Sequence, residues 1–511
     1  MRVLLVGIYD TNAVSLAPRL LAAHAARGDY GESVKFLTRE FSIFKDEPED
    51  IARAINAEGA DIVGLSAYVW NIALIRAVLP LLTGRIILGG PQVTGVETKL
   101  LAENPALDMV VTGEGEQVLV DLIQALCGRG ELAAVAGLTT REFRNAPAAQ
   151  PVDLALIPPF YGDIFRDHPD LGWIAFQTSR GCPFGCRYCC WGSSRAMRYH
   201  PLEQVLAELE VILAQPSITS IYFCDSDLLL NKPRTKIILE RVIASERNVD
   251  VRFEFNAEHL DDEVLGYLER MTSKEVNFGL QTTNPAALQA IGRRFDPRRF
   301  KENFDKASAR FGDRITIDLI YGLPGDDYAG YKASMEFVLT LGRIGRVLTN
   351  PLLVLPGSEF FKERERYGIE LGGRDGFAVR RTGTFSAADM DLARALSFWV
   401  AVVFLNTKLR DAVTQAAKAR GWAVTDTLLA FADILPPELK PARYPDMVPS
   451  ERENFRQRNA ALARVIAGYD HLVACFVEAF QDGKTGDLAD HSLAYSDQYV
   501  KIKRFIASDG A

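Results

Sequence analysis

The chain has 511 residues, of which 48 % are hydrophobic and 24 % charged, and a formal charge of −8. That length exceeds what one hydrophobic core organises and implies about three domains. The acidic balance gives no electrostatic reason to expect nucleic acid or an anionic membrane as a partner. Seven cysteines, four of them between Cys182 and Cys190, do not form a disulfide framework. Residues 1–6 enter a strand-like run with no signal peptide. The longest apolar run, residues 396–405, is too short to span a bilayer and is expected to be a buried helix. A cytoplasmic protein is expected.

The first third alternates short apolar runs with amphipathic stretches. Strands are predicted over 3–7, 34–37, 62–66, 86–88 and 109–112, and helices over 16–26, 49–57 and 118–126, the last stopped by Gly128. This alternation means a doubly wound parallel sheet, which binds ligands outside the carboxyl ends of its strands. Those ends carry a Tyr9–Asp10–Thr11–Asn12 segment, a second segment with Ser66, Tyr68, Trp70 and Asn71, the turn Gly89–Gly90–Pro91, and Thr112–Gly113–Glu114–Gly115–Glu116. No full GxGxxG opens a helix after the first strand, so a nicotinamide cofactor is not expected.

Residues 147–159 are proline-rich and read as a linker. A strand over 173–178 then delivers Thr178–Ser179–Arg180–Gly181–Cys182–Pro183–Phe184–Gly185–Cys186–Arg187–Tyr188–Cys189–Cys190. Three cysteines at CxxxCxxC spacing on so short a loop can hold an iron–sulfur cluster, and three ligands leave one iron open for chemistry. The competing reading is structural zinc, with Cys190 or His200 as a fourth ligand. Adjacent Cys189 and Cys190 do not easily point into one tetrahedral site.

Further strands are predicted over 218–224, 251–258, 276–282, 315–321 and 347–355, with an apolar helix face over 202–213. Alternation of side chains along a strand puts Glu254, Asn256 and Glu258 on one face, and Asn277, Gly279 and Gln281 on one face of the next strand. Polar inner faces and apolar outer faces are the pattern of strands lining a cavity. Beyond residue 375 the alternation stops, and helices are predicted over 387–410, 428–435 and 452–479. His471, His491, Tyr495 and Tyr499 there are as readily surface residues as ligands.

The cysteine loop, with Tyr188 one place before its last cysteine, resembles the signature loop of radical S-adenosylmethionine enzymes. The strand-end segments before it resemble the cobalamin-binding domain of the cobalamin-dependent members. Asp318–Leu319–Ile320–Tyr321–Gly322–Leu323–Pro324–Gly325 is similar to a stretch common in that subgroup, Gly279–Leu280–Gln281–Thr282 is similar to a Gly-x-Gln-Ser stretch in related enzymes, and Leu355–Pro356–Gly357–Ser358 resembles the subgroup's closing barrel strand. The methylthiotransferases, whose N-terminal domain supplies three more cysteines, do not fit, because only Cys127 precedes Cys182.

The resemblance implies an α/β fold of three parts joined by a linker over 147–165. These are a Rossmann-like cobalamin-binding domain over 1–146, a partial (β/α)6 radical barrel over 166–372, and a mainly helical C-terminal domain over 373–511. It implies a 4Fe–4S cluster on Cys182, Cys186 and Cys189, and cobalamin held by Asn12, Ser66, Tyr68, Trp70, Asn71, Gly89, Gly90, Pro91, Thr112, Gly113, Glu114, Gly115 and Glu116. S-adenosylmethionine is expected on Tyr188, Asp225, Ser226, Asp227, Asn256, Glu258, Gln281 and Asp318, with Asp318 and Tyr321 as candidates for catalysis. The DxHxxG motif of many cobalamin proteins is missing, so the cobalt's lower face is expected to meet Tyr68 or Trp70 and not a histidine.

The activity so implied is methylation of an unactivated carbon through methylcobalamin and a 5′-deoxyadenosyl radical. A non-methylating rearrangement or oxidation, such as ring contraction, is the alternative. From a different class, a metal-stabilised binding or electron-transfer protein is the third reading. A small metabolite, natural-product intermediate or peptide substrate is expected, with flavodoxin or ferredoxin as reductant.

Overall fold

Continuous runs of β-branched and aliphatic residues mark strands buried on both faces, and the chain opens with one. The computed structural model describes residues 1–9, 14–191, 194–271, 275–372, 377–405, 407–446 and 452–469, with Leu472 and Phe476 beyond. The chain divides into two compact units. The first comprises Met1–Glu254, Gly266–Lys274 and Leu355–Lys362, and the second Phe255–Leu265, Glu275–Val354 and Glu363–Ala511.

In the first unit, β1 (Arg2–Tyr9), α1 (Leu16–Ala25), β2 (Lys35–Ser42), α2 (Pro48–Ala57), β3 (Ile62–Ser66), α3 (Ile72–Val78), β4 (Arg85–Gly89), α4 (Glu97–Glu103), β5 (Met109–Val111) and α5 (Gly115–Leu126) follow in order. A two-residue strand, β6 (Leu138–Thr139), completes a sheet of order β2-β1-β3-β4-β5-β6. All pairings are parallel except β5–β6. Helix α1 packs on α5, and α2 packs on α3. Val3, Leu4, Leu5 and Val6 are buried throughout β1, as a strand covered on both faces requires. β6 was not expected: two residues show no periodicity.

The same unit continues with α6 (Tyr161–Asp167), β7 (Trp173–Phe176), β8 (Ser179–Arg180), β9 (Arg198–Tyr199), α7 (Leu202–Leu213), β10 (Ser220–Phe223), α8 (Lys232–Ala244) and β11 (Asp250–Phe253). β11, β10 and β7 form a parallel sheet, and β8 pairs antiparallel with β9. β11 is shorter than the predicted 251–258. Asn256 accepts a hydrogen bond from the Glu258 backbone N–H at 3.1 Å and starts a 3-10 turn over Ala257–His259. The expectation that Glu254, Asn256 and Glu258 share a strand face is therefore corrected, since all three lie beyond the strand.

After α9 (Asp262–Arg270), the second unit holds β12 (Val276–Gln281), α10 (Pro285–Ile291), α11 (Pro297–Phe311), β13 (Ile315–Tyr321), α12 (Tyr328–Thr340) and β14 (Arg346–Pro351). These strands form a second parallel sheet of order β12-β13-β14. The expected alternation holds in β12, where Val276, Phe278 and Leu280 are buried while Asn277, Gly279 and Gln281 are partly exposed. The short helix α13 (Glu359–Lys362) belongs to the first unit. A hairpin of β15 (Glu370–Gly372) and β16 (Ala378–Arg381) had no sequence signal.

Four helices follow: α14 (Ala387–Val403), α15 (Thr407–Arg420), α16 (Val424–Ile434) and α17 (Arg452–Ala467). The predicted 387–410 helix is thus two. Ser386 and Asp389 cap α14 reciprocally, and Leu396, Phe398, Trp399, Val400, Val402 and Val403 of the apolar run are buried. No helix among the described residues is long and apolar enough to cross a membrane. His471, His491, Tyr495 and Tyr499 lie outside the described residues.

Candidate active site: the sheet edge and the cysteine loop

Strand order reverses between β1 and β3, and an open α/β sheet presents its ligand crevice at the carboxyl ends flanking such a reversal. Asn71, fully buried, ties these two ends together. Its Nδ2 donates to Ile8 O and Ser66 O, each at 3.0 Å, and its Oδ1 accepts from the Tyr68 N–H at 2.7 Å. Asn71 therefore shapes the edge, and its amide is committed to the backbone. Asn12 falls outside the described residues.

Aromatic rings cover this edge. Tyr68 stacks on Trp70 with centroids 4.5 Å apart and planes 6° from parallel, and Tyr9 meets Trp70 edge-on at 5.4 Å. Tyr9 also stacks on Trp173 of β7 at 6.3 Å, and Trp173 on Tyr222 of β10 at 6.2 Å. Because Tyr68 and Trp70 each hide one face of the other, they present a single two-ring slab.

Among the buried polar atoms at the strand ends that lack hydrogen-bond partners are the Trp70 indole Nε1, a donor, and Gln92 Oε1, an acceptor just past β4. Buried polar groups are rarely left so. A ligand rimmed with primary amides, as the corrin ring of cobalamin is, would satisfy both. Gln92, which follows Gly89–Gly90–Pro91 directly, carries no motif signal of its own in the sequence. Gly90 itself is required by the backbone. Its φ is +99°, and a Cβ there would sit 2.5 Å from Ala67 O. Thr112 is buried and pairs through its N–H with Gly137 O at 3.0 Å.

The carboxylates of Glu114 and Glu116 do not stand open on the ligand edge; both are met by arginines that flank the cysteine loop. Arg180 Nη2 donates to Glu116 Oε1 at 2.6 Å, and its Nη1 lies 3.5 Å from Glu114 Oε1. Arg198 makes a short bond to Glu114 Oε1 and a second to Oε2 at 3.2 Å. Burial works against ionisation of Glu114, but the Arg198 bonds and the Arg180 charge outweigh it and hold the carboxyl below its usual range. Burial likewise opposes the Arg180 cation, and Glu116 and Glu114 more than compensate. Arg180 was visible in the loop sequence; Arg198 carried no signal before the strand pairing was known.

The loop is fixed at its base by that β8–β9 pair and by the Cys182 N–H donating to Ser194 O at 2.9 Å. Gly185, at φ +60°, leaves room for Arg195, whose guanidinium a Cβ would approach to 2.6 Å. Cys182, Cys186 and Cys189 are partly buried on this loop. Among the described residues, no three His, Cys, Asp or Glu side chains close on one metal ion. A four-iron cluster takes each thiolate on its own iron, so its ligands need not meet at one point. Cys190 turns elsewhere. Its thiol donates to Pro356 O at 3.4 Å, and burial pushes its pKa up to about 12.

Asp225 and Ser226, expected at S-adenosylmethionine, make hydrogen bonds that support the loop. Asp225, 1 % exposed, accepts from the Thr178 N–H at 3.2 Å, from the Thr178 hydroxyl at 2.9 Å and from the Ser179 hydroxyl. Burial is the largest influence on its carboxyl and raises its pKa. Ser226 Oγ donates to Gly181 O at 2.6 Å, and Asp227 caps the following 3-10 turn through the Leu229 N–H. Tyr188 lies on the loop, partly buried.

In the second unit, Asn277 Nδ2 donates to Asp318 Oδ2 at 2.9 Å across β12 and β13. Gln281 has φ +71°, a left-handed conformation rare outside glycine, at a register shift in β12. Such outliers collect at functional sites, where the surroundings over-determine them. Asn256 is occupied as a cap, and Arg299 donates to the Glu258 carbonyl. Tyr321 is fully buried, and its hydroxyl donates to Asp446 at 2.6 Å. That bond ties Tyr321, at the end of β13, to a loop residue between α16 and α17.

A doubly wound sheet with a ligand edge, continued by parallel strands that deliver a three-cysteine loop, is the architecture of a protein with two cofactor sites. Residues 12–123 match the B12 binding domain family, and residues 176–338 match the Radical SAM superfamily. The chain belongs to the radical S-adenosylmethionine proteins that carry a B12-binding domain.

It is 28 % identical over 308 residues to an uncharacterized methyltransferase of Pyrococcus horikoshii, covering 57 % of this chain and 67 % of that one. It is 24 % identical over 359 residues to the cobalamin-dependent radical SAM methyltransferase TokK of Streptomyces tokunonensis, covering 63 % of this chain and 51 %, about half, of that one. The apo structure of the cobalamin-dependent S-adenosylmethionine radical enzyme OxsB shares its fold, with a TM-score of 0.60 at 15 % identity, over 99 % of this chain and 83 % of that one.

Proposed function

We propose that the chain is a cobalamin-dependent radical S-adenosylmethionine methyltransferase acting on an unactivated carbon of a small molecule or peptide. The observation that carries this reading is the aromatic sheet edge with its two orphaned polar atoms, in the same unit as the cysteine loop. Both domain families on one chain, and relatives named as methyltransferases, support it. When bound, the cluster with S-adenosylmethionine supplies an organic radical and cobalamin supplies the methyl group.

The protein's part is to hold and orient these groups and to exclude water, because the cofactors carry the hard chemistry. Cys182, Cys186 and Cys189 would ligate the cluster. The Tyr68–Trp70 slab would lie against the corrin, with Trp70 Nε1 and Gln92 Oε1 bonding its amides. Asp225, through Thr178 and Ser179, fixes the strand that leads into the loop. Asn277, Asp318 and Gln281 would contribute to the S-adenosylmethionine site. An external electron donor, a flavodoxin or ferredoxin, would start each cycle.

Anaerobic reconstitution with iron, sulfide and cobalamin, followed by turnover with methyl-labelled S-adenosylmethionine, tests the reading. Binding of both cofactors and label in the product are expected. Formation of 5′-deoxyadenosine with no label in any product would overturn methyl transfer and leave a rearrangement or oxidation.

A further inference from the structure

Three segments far apart in sequence close on one another around Glu114. Its carboxylate accepts from both Arg198 nitrogens and, at 3.0 Å, from the Val152 N–H, while Arg198 Nη1 donates to Val152 O at 2.9 Å. Arg180, the register partner of Arg198 in the β8–β9 pair, reaches Glu116 and is steered by its own Nε bond to Gln177 Oε1 at 2.9 Å. The four side chains are 14 % (Arg180), 20 % (Arg198), 28 % (Glu114) and 4 % (Glu116) exposed. Surface ion pairs contribute little, but removing one partner from a largely buried set leaves a charge uncompensated. The set also holds down the proline-rich segment at Val152.

We infer that this set is a clamp that positions the cysteine loop against the B12-binding sheet. Arg180 and Arg198 are positioning residues in this scheme, acting on the loop that bears Cys182, Cys186 and Cys189. The inference rests on the function proposed above. Two features favour a clamp over ordinary packing. Both arginines sit at the base of the loop, opposite one another, and both carboxylates come from one turn at the carboxyl end of β5. A displacement of the loop at its base moves all three cysteines together, and misplacement by about 1 Å is enough to cost on the order of a hundredfold in rate.

The test compares wild type with Glu114→Gln, Arg198→Gln and Arg198→Lys as full-length chains. Hydrogen exchange of the cofactor-free protein is read over residues 147–153 and 179–199. In the reconstituted protein, cluster and cobalamin content are measured, together with the magnetic coupling between the reduced cluster and paramagnetic cobalt. Turnover gives the ratio of 5′-deoxyadenosine to methylated product. The two Gln variants are expected to exchange faster over both segments, to weaken the coupling, and to raise the ratio by about tenfold or more. Arg198→Lys, which keeps the charge, is expected to lie between them and wild type. Gln variants that match wild type in exchange, coupling and ratio would overturn the clamp and leave the proposed function standing. Loss of the cluster in Arg198→Gln supports the clamp where Arg198→Lys restores it, and overturns it where Lys is no better. A wild type that binds cluster but no cobalamin refutes the proposed function, and the clamp with it.

Discussion

Arg180 and Arg198 face each other across the base of the cysteine loop, and both reach Glu114. Two like charges paired in register on neighbouring strands repel unless something lies between them. Here two carboxylates do, and both come from a turn that the sequence motif alone would assign to cofactor contact. The two carboxylates of the Glu–Gly–Glu segment thus join the sheet to the loop.

The loop's four cysteines divide by geometry into three and one. Cys182→Ala, Cys186→Ala and Cys189→Ala are each expected to lose the cluster, seen as loss of iron, sulfide and the broad visible absorption after anaerobic reconstitution. Cys190→Ala is expected to keep it, because that thiol is partly buried, protonated and bonded to Pro356 O. Iron retained by Cys189→Ala but lost from Cys190→Ala would mean that the third ligand has been misassigned.

The β1/β3 edge yields a spectroscopic expectation. With Trp70 stacked on Tyr68, an aromatic slab is available to the proposed corrin site, and none of the residues proposed for that site is a histidine. Bound cobalamin in its paramagnetic cobalt state should therefore show no nitrogen hyperfine splitting from a protein histidine. Trp70→Ala removes one of the slab's two rings and an orphaned donor, and is expected to weaken cobalamin binding by roughly tenfold or more, the scale of a lost stack and hydrogen bond. Unchanged affinity in a titration of Trp70→Ala would remove Trp70 from the site.

The parallel sheets could be read from periodicity because their strands are buried runs separated by helices of ordinary length. The strands over 62–66 and 315–321 match residue for residue. What could not be read follows from physics that periodicity does not carry. Two-residue strands such as β6, β8 and β9 have no period. The truncation of β11 comes from one side chain, Asn256, whose amide offers the backbone a turn in place of a ladder. Site residues divide in the same way. Cysteine spacing is a local signal, legible without the fold. The hydrogen bonds that Asn71, Asp225 and Glu114 make within the scaffold depend on partners dozens of residues away, so they could not be read from the sequence.

Tyr321 illustrates the point and can be tested directly. Its buried hydroxyl donates to Asp446, which also accepts from Arg394 Nε at 2.8 Å. Tyr321→Phe deletes one hydrogen bond while leaving the Arg394–Asp446 pair, a loss of about 1 kcal/mol. Arg394→Ala strips the charge partner from a largely buried carboxylate, a loss of roughly 3 kcal/mol or more. Denaturant titration is expected to rank the two in that order, with product formation retained in Tyr321→Phe. Abolished turnover in a fully folded Tyr321→Phe would restore Tyr321 as a catalytic residue.

His200, the residue after β9, gives a pH dependence with a definite sign. It is 7 % exposed, and burial, reinforced by the charges of Arg180, Arg234 and Arg198, lowers its pKa from 6.5 to about 4. The folded chain therefore keeps this imidazole neutral in a range where the unfolded chain takes up a proton. Stability is lost as pH falls from about 6.5 towards 4, because the unfolded state binds more protons there, and the loss levels off below the folded value. A shift of that size corresponds to roughly 3 kcal/mol when fully expressed. His200→Gln removes the titrating group, so its melting temperature should fall less steeply than that of wild type over this range. Near pH 7.5, where the imidazole is neutral in both states, the mutant should show only the cost of altered packing. Parallel melting curves for the two proteins between pH 6.5 and 4 would show that His200 is protonated as readily in the folded chain as in the unfolded one.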